Sequence, residues 1–406
     1  MLQLSFINFK KNSFIIVEEK LPEDRFYIIQ SGKVQITHNI EIPGRPVEYL
    51  GPGDFIGVVS CMAGQAHVES ALAITDTVCI AVKRDQYPEL IQKNTPVAMK
   101  IIRTFAKRMR ELNEAIMMRT TMNVAEDTID QIFKVAEYYD ADDQIDIATF
   151  AYYQYLKVQK EGPFAEKAKQ RFVKLKKRSH AVYFEPSAEP IRKYPQGTMI
   201  FSEAQSGADM FIIQSGSIKI SKVLKETEDS EGREVTFAIL KKGDMFGEMA
   251  LLENKPRSAS AIANEDCVLM TINKQNFNQM VTTQPQMIAR LTTTFATRLW
   301  PMQRQLINSM LEDPLAKMLD MLALQLEKNH LLNGAVENTN YQTSYSPADI
   351  AMMCGLSKED QAKSLYKFIT HHLLKIEKNK IIVKDIEELY KQSLFYRKLL
   401  ARSMAR

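Results

Sequence analysis

Phe246-Gly247-Glu248-Met249-Ala250-Leu251, followed by Pro256-Arg257-Ser258-Ala259-Ser260-Ala261, is the stretch on which the reading of this chain turns. Gly247 lets backbone approach a ligand closely. Glu248 can accept hydrogen bonds from a sugar hydroxyl. Met249 and Ala250 continue the same turn. Arg257 offers a planar, permanently charged fork to a phosphate. Ser258 and Ala259 leave room for backbone N–H groups to face the same anion. Together these residue types, at this spacing, suit a pocket for a ribose-phosphate ring.

The string is framed by short β-rich runs: Thr198–Phe201, Met210–Gln214, Ser217–Val223, Val235–Leu240 and Val268–Ile272. Alternating apolar residues with glycine at the corners predict an antiparallel roll or jelly roll. With that frame, the motif resembles the phosphate-binding cassette of the cyclic nucleotide-binding β-roll family. The resemblance implies a cyclic nucleotide held by Gly247, Glu248, Met249, Ala250, Arg257, Ser258 and Ala259. It suggests cyclic AMP, and leaves cyclic GMP and a cyclic dinucleotide open.

The frame occurs twice. Phe26-Tyr27-Ile28-Ile29-Gln30-Ser31-Gly32 is echoed by Met210-Phe211-Ile212-Ile213-Gln214-Ser215-Gly216, an offset of 216 − 32 = 184. Gly53-Asp54-Phe55-Ile56-Gly57 is echoed by Gly243-Asp244-Met245-Phe246-Gly247, an offset of 243 − 53 = 190. The six extra residues fall near Lys225–Arg233, a polar stretch that reads as a hairpin loop tolerant of insertion. On the 190 offset Val58 stands for Glu248, His67 for Arg257 and Val68 for Ser258. Valine cannot accept a sugar hydroxyl, and a largely neutral histidine has no bidentate fork. Losing one charge-assisted partner costs roughly 1.5–3 kcal/mol. The first roll therefore reads as a structural or dimerising copy, the alternative being a different ligand.

At 406 residues the chain needs several domains. No apolar run is long enough to cross a bilayer, no signal peptide is evident, and Cys61, Cys79, Cys267 and Cys354 lack metal-type spacing. They read as reduced, buried thiols in a cytoplasmic protein. A net charge of +4 leaves nucleic acid undecided, so local charge matters more.

Ile101, Phe105, Met109, Leu112 and Ile116 form a helical stripe, either a seam between subunits or a face packed on its own roll. Ala148, Tyr152, Tyr155 and Leu156, then Ala165, Ala168, Phe172 and Leu175 after a break at Gly162-Pro163, resemble one tetratricopeptide-type hairpin. A single unit cannot bury both its faces, which predicts a spacer packed on a neighbour. Glu185–Pro190 reads as a linker.

Beyond the second roll, Met287, Leu291, Phe295, Leu299, Leu306 and Met310 mark a long helix. In the catabolite-activator branch of the family this helix lies across the ligand and pairs with its twin. That implies a homodimer, with Met302 and Gln303 at the base-reading positions and Gln303 as the candidate contact. Pro301 predicts a kink or break there.

Ser346-Pro347-Ala348-Asp349-Ile350-Ala351-Met352-Met353-Cys354-Gly355-Leu356-Ser357 reads as helix, tight turn, helix start. A second helix over Lys358–Thr370 and a strand pair around Lys378-Asn379 follow. The pattern resembles the winged helix-turn-helix of Crp/Fnr-like regulators, whose second helix enters the major groove. The resemblance puts Lys358, Glu359 and Lys363 toward bases. Gln361 and Ser364 depart from its usual apolar positions. Ala362, Leu365, Tyr366 and Ile369 predict a rotated buried face. From Ser357 to Arg406, 12 Lys and Arg face 6 Asp and Glu, a surplus suited to phosphates.

The expected fold class is α+β multidomain: two antiparallel β-roll domains, a helical tetratricopeptide-like linker and a C-terminal winged helix-turn-helix. The expected divisions are 1–96, 97–180, 190–283, 284–312 and 313–406. The expected function is a cyclic-nucleotide-responsive transcription regulator with DNA as partner. The alternative is a nucleotide sensor with protein output, its two rolls in tandem as in kinase regulatory subunits. An enzyme is disfavoured, because no nucleophile–base pair or metal cluster accompanies Glu248 and Arg257, and His371-His372 reads as the end of a helix.

Overall fold

The computed structural model describes residues 4–42, 46–121, 128–182, 184–185, 189–224, 233–329, 339–356 and 358–404. They form two units. The hairpin tip at 225–232 and residues 186–188 of the Glu185–Pro190 linker lie outside the described residues.

One unit contains the first roll and the C-terminal segment. The roll has two four-stranded antiparallel sheets. One joins β1 (Ser5–Phe9), β8 (Thr77–Lys83), β3 (Arg25–Ser31) and β6 (Phe55–Ile56) in that order. The other joins β2 (Phe14–Ile16), β7 (Ser70–Ala73), β4 (Val34–Thr37) and β5 (Tyr49–Leu50). Alternate residues meet between them: Ile29, Val34, Ile36, Ile56, Ala71 and Cys79 are buried in one cluster. Short helices α1 (Val58–Ala63) and α2 (Tyr87–Lys93) complete the roll.

The second roll repeats this order in the other unit. β9 (Ile191–Tyr194), β16 (Cys267–Ile272), β11 (Met210–Ser215) and β14 (Met245–Phe246) form one sheet. β10 (Met199–Phe201), β15 (Ser260–Ala263), β12 (Ser217–Leu224) and β13 (Arg233–Lys241) form the other. The Ser-Gly corner after β11 admits only glycine. Gly216 sits at φ +80°, and a Cβ there would fall 2.3 Å from the Asp266 carbonyl oxygen. Helices α7 (Glu248–Glu253) and α8 (Lys274–Thr283) stand where α1 and α2 stand in the first roll.

Three helices pack on the second roll: α4 (Ile129–Ala141), α5 (Ile145–Val158) and α6 (Ala165–Lys176). Phe133, Tyr152, Tyr155 and Ala168 share one buried cluster with Met199, Val223 and Ile262 of the roll. Gln131 Nε2 donates to the Val223 carbonyl at 3.1 Å, and Tyr139 OH donates to Glu234 at 2.9 Å.

After the second roll, α9 (Pro285–Met310) runs unbroken with Pro301 inside it. The expected break is absent. Burial of Phe295, Leu299, Trp300 and Leu306 on both sides of the proline outweighs its cost of about 3 kcal/mol. α10 (Pro314–Lys328) is capped by Asp313, whose side chain accepts from the Leu315 N–H. Then come β17 (Thr339–Gln342), α11 (Pro347–Met353), α12 (Lys358–Ile369), β18 (Leu374–Glu377), β19 (Lys380–Asp385) and α13 (Ile386–Met404). Ser346 and Asp349 close a capping box on α11. Lys378 and Asn379, both at positive φ, turn β18 into β19, and β17 adds a third strand that the sequence reading did not anticipate.

Candidate functional site

The second roll's cassette is built on Gly247, which caps α7 at φ +76°. A Cβ there would lie 2.7 Å from Arg257 Nη1, so the guanidinium can occupy this position only beside glycine. Gly207 faces the same side chain, its ideal Cβ falling 2.7 Å from Nη2. Arg257 is 4% exposed. Its Nη1 donates to the carbonyls of Asp209 (2.7 Å) and Gly247 (2.6 Å). Its guanidinium lies 4.2 Å from the centre of the Phe201 ring, and Phe201, Phe211 and Phe246 pack together beneath it. Burial pulls the group down to about 10, with Asp209 and Glu248 opposing, so it stays charged at neutral pH. Its Nε–H is buried without an acceptor among the described residues. A charged fork with one N–H unanswered, beside the buried carboxylate of Glu248, is what an anionic sugar ring would complete. Met249 and Ser258 touch through sulfur and hydroxyl at 3.9 Å, and Ala250 is buried behind them.

The first roll holds the same frame without the charge. Gly57 caps α1 at φ +74°, and its ideal Cβ would lie 3.3 Å from the His67 ring. His67 thus stands where Arg257 stands. The main-chain bonds repeat as well: Glu19 N–H to His67 O and Ala204 N–H to Arg257 O are both 2.8 Å. Burial lowers the His67 pKa, leaving the ring neutral near pH 7. Val58 and Val68 are buried.

One paired feature escaped the sequence reading. Glu18 N–H donates to Ser70 Oγ (2.9 Å), and its carboxylate accepts from Asn39 N–H (2.6 Å). Glu203 makes the same two bonds with Ser260 Oγ (3.0 Å) and Val223 N–H (2.8 Å). Extending the repeat upstream to Val17-Glu18 and Ser202-Glu203 exposes this pair. Glu18 is pushed up to about 7, chiefly by burial, with Glu19 and Glu69 adding and the Asn39 N–H and Arg397 opposing. Its protonated form therefore contributes stability that is complete below about pH 4.5 and lost as pH rises through about 7. Glu18→Gln, which stays neutral, should be more stable than the parent at pH 8 by roughly 1–3 kcal/mol and equal to it near pH 4.5. Urea unfolding at the two pH values measures this. A constant difference would show that folding does not raise the Glu18 pKa.

The exit helices are exchanged. In α3 (Thr95–Thr121), Ile102–Arg110 groups with the second roll. Arg110 Nη2 donates to the Pro256 carbonyl at 3.1 Å, and its Nε meets Glu253 at 2.5 Å. α9 instead packs in the unit of the first roll, where Trp300 Nε1 donates to the Ala66 carbonyl at 2.8 Å. Both partners differ by the cassette offset: 300 − 110 = 190 and 256 − 66 = 190. Of the stripe, Phe105 and Met109 group with the second roll, whereas Ile101, Leu112 and Ile116 group with the first. Gln303 is buried in the first roll's unit, with Nε2 on the Val68 carbonyl (3.4 Å). Amphipathic spacing fixes which face a helix buries, not which roll receives it.

The family described as Cyclic nucleotide-binding domain matches residues 6–94 and 191–284. The chain carries the cyclic nucleotide-binding domain in tandem. A CRP-like cAMP-activated global transcriptional regulator of Mycobacterium tuberculosis is 26% identical over 203 residues, covering 49% of this chain and 86% of the relative. A Cyclic AMP receptor protein of Thermus thermophilus is 33% identical over 108 residues, covering 27% of this chain and 48% of the relative. A solved Thermus thermophilus Catabolite Activator Protein shows 23% identity with a TM-score of 0.28, covering 51% of this chain and 90% of that one.

Of the C-terminal residues singled out by sequence, Glu359 and Lys363 share an exposed face. Glu359 and Lys363 are ion-paired on α12 at 2.5 Å, both side chains at least 70% exposed. Lys358 opens the helix, and its side chain lies outside the described residues. The rotated face is overturned. α12 buries Ser364 and Phe368, while Ala362, Tyr366 and Ile369 are exposed. The two polar residues are satisfied locally: Gln361 Nε2 donates to the Leu356 carbonyl (2.9 Å) and Ser364 Oγ to that of Asp360. His371 and His372 lie just beyond α12, their rings 4.5 Å apart. All four cysteines are free and buried. No helix among the described residues is long and apolar enough to cross a membrane.

Proposed function

We propose that this chain is a cyclic-AMP-responsive transcription regulator. The ligand binds at Gly247, Glu248, Met249, Ala250, Arg257, Ser258 and Ala259, and the C-terminal module is a winged helix-turn-helix that contacts DNA through α12. The observation that carries the reading is the buried Arg257 fork, with its unanswered Nε–H beside Glu248, present in the second roll and replaced by neutral His67 in the first. The named activities of the mycobacterial and Thermus relatives support the choice of cyclic AMP and of transcription. Each chain has one C-terminal module, so two half-sites call for a homodimer. The five-part division of the chain, with α5 and α6 as a tetratricopeptide-type spacer, belongs to the same proposal.

The test is retention of promoter fragments across a salt series, with and without cyclic AMP. A regulator retains DNA with ligand and loses it steeply as salt rises, because phosphate contacts release counterions. Absence of ligand-dependent retention at moderate salt would favour a protein output. Lys363→Ala should weaken promoter binding by about 10-fold and leave nucleotide affinity unchanged. An unchanged gel shift would remove α12 as the reading element.

A further inference from the structure

The first roll's cassette turn faces a cavity of about 20 Å³, room for a water and not for a nucleotide. The residues that close it come from elsewhere in the same unit. Trp300, Gln303 and Arg304 reach it from α9, and Tyr390 and Arg397 from α13. Two arginines beside a phosphate turn invite an anion, but the charge count opposes one. Glu18, Glu19, Asp320 and Glu327 face Arg304 and Arg397, four carboxyl groups against two guanidinium groups.

These carboxyl groups hold other parts of the chain. Arg397 Nη1 donates to Glu19 of the roll at 3.2 Å, and its Nε lies 3.4 Å from Asp320 of α10. Arg304 Nη1 meets Glu327 at 2.5 Å. Gln65, in the cassette turn itself, donates to the Glu327 carbonyl at 2.9 Å. Beside this network Ile40 of the roll, Ile307 and Met310 of α9, and Leu400, Ala401 and Met404 of α13 form a small apolar cluster.

We propose that the first roll has replaced a soluble ligand with a segment of its own chain: its cassette face is a releasable socket for α13, the last helix of the C-terminal module. The composition of the junction argues for release. Buried ion networks add little net stability but fix register well, which is the property of a latch and not of a core. Nε and Nη2 of both arginines lack a hydrogen-bond acceptor among the described residues, and the cavity leaves packing incomplete. α9 follows the second roll directly and carries four of the lining residues, so it is the element through which ligand there would reach the latch. As a control of output the latch rests on the DNA-contact reading; the docking does not.

Hydrogen exchange on the intact protein, without nucleotide or DNA, tests the docking. In the parent, α13 amides should exchange through an opening that leaves β3 and β8 protected. Arg397→Met should speed α13 exchange at least 10-fold with β3 and β8 unchanged. Glu19→Gln, which removes one bond at the margin of the network, should act in the same direction more weakly, and decides the matter if Arg397→Met unfolds the unit. Exchange of α13 together with β3 and β8 in parent and variants, or no change in α13, would overturn the proposal. Loss of DNA retention with the exchange pattern intact would instead count against the DNA-contact reading.

Discussion

Arg257→Ala should abolish cyclic nucleotide binding, weakening it more than 100-fold, while His67→Ala should leave it unchanged. Two or more charge-assisted bonds to a ring phosphate contribute roughly 1.5–3 kcal/mol each. Loss of two accounts for such a factor without any change in fold. The fold should survive, because Arg257 is buried at a desolvation cost that pulls it down to about 10, and alanine relieves that cost. Its two carbonyl partners, Asp209 and Gly247, lose a donor, and the space vacated by the guanidinium lets water take its place. Arg257→Lys separates charge from geometry. It keeps the cation and loses the planar fork, and should bind tens of times more weakly than the parent. Equal losses from Arg257→Ala and His67→Ala would show that both rolls bind.

Asp320→Ala should destabilise the unit containing the first roll by about 3–5 kcal/mol. Asp320 is fully buried and accepts from Ser393 Oγ (2.6 Å) and Asn308 Nδ2 (3.0 Å). It also lies 3.6 Å from Arg304 Nη2 and 3.4 Å from Arg397 Nε. Alanine would leave these two buried cations with less compensation and the Ser393 hydroxyl without its acceptor, while Asn308 Nδ2 keeps only the Lys317 carbonyl (2.8 Å). Trp300, the single tryptophan of the chain, is buried in the same unit, so its fluorescence during urea unfolding reports on this unit directly. Asp320→Asn retains one acceptor oxygen and should fall between parent and alanine. A loss below about 1 kcal/mol for Asp320→Ala would mean the arginines are neutralised by Glu19 and Glu327 alone.

The repeat was legible because strands and their corners leave strong local marks. Apolar runs ending in Ser-Gly, and Gly-Asp ahead of a second glycine, recur in both rolls and become the same strands in the same sheet order. The contrast between Arg257 and His67 was legible for the same reason, since each packs against the glycine that precedes its short helix. Partners distant in sequence were not legible. The stripe on α9 is real, but nothing in its spacing tells that Trp300 bonds Ala66 or that Gln303 bonds Val68. On α12 the polar side chains of Gln361 and Ser364 looked unfit for burial. They turn inward because nearby carbonyls of Leu356 and Asp360 answer them. Glu18 and Glu203 were passed over because a lone glutamate in a β-rich run reads as surface until the backbone N–H groups it accepts from are known.

Titration calorimetry of the intact protein with cyclic AMP, beside cyclic GMP and a cyclic dinucleotide, bears most directly on the central claim. The account predicts one site per chain for cyclic AMP, lost in Arg257→Ala. Two sites per chain, or no heat with any of the three, would contradict it.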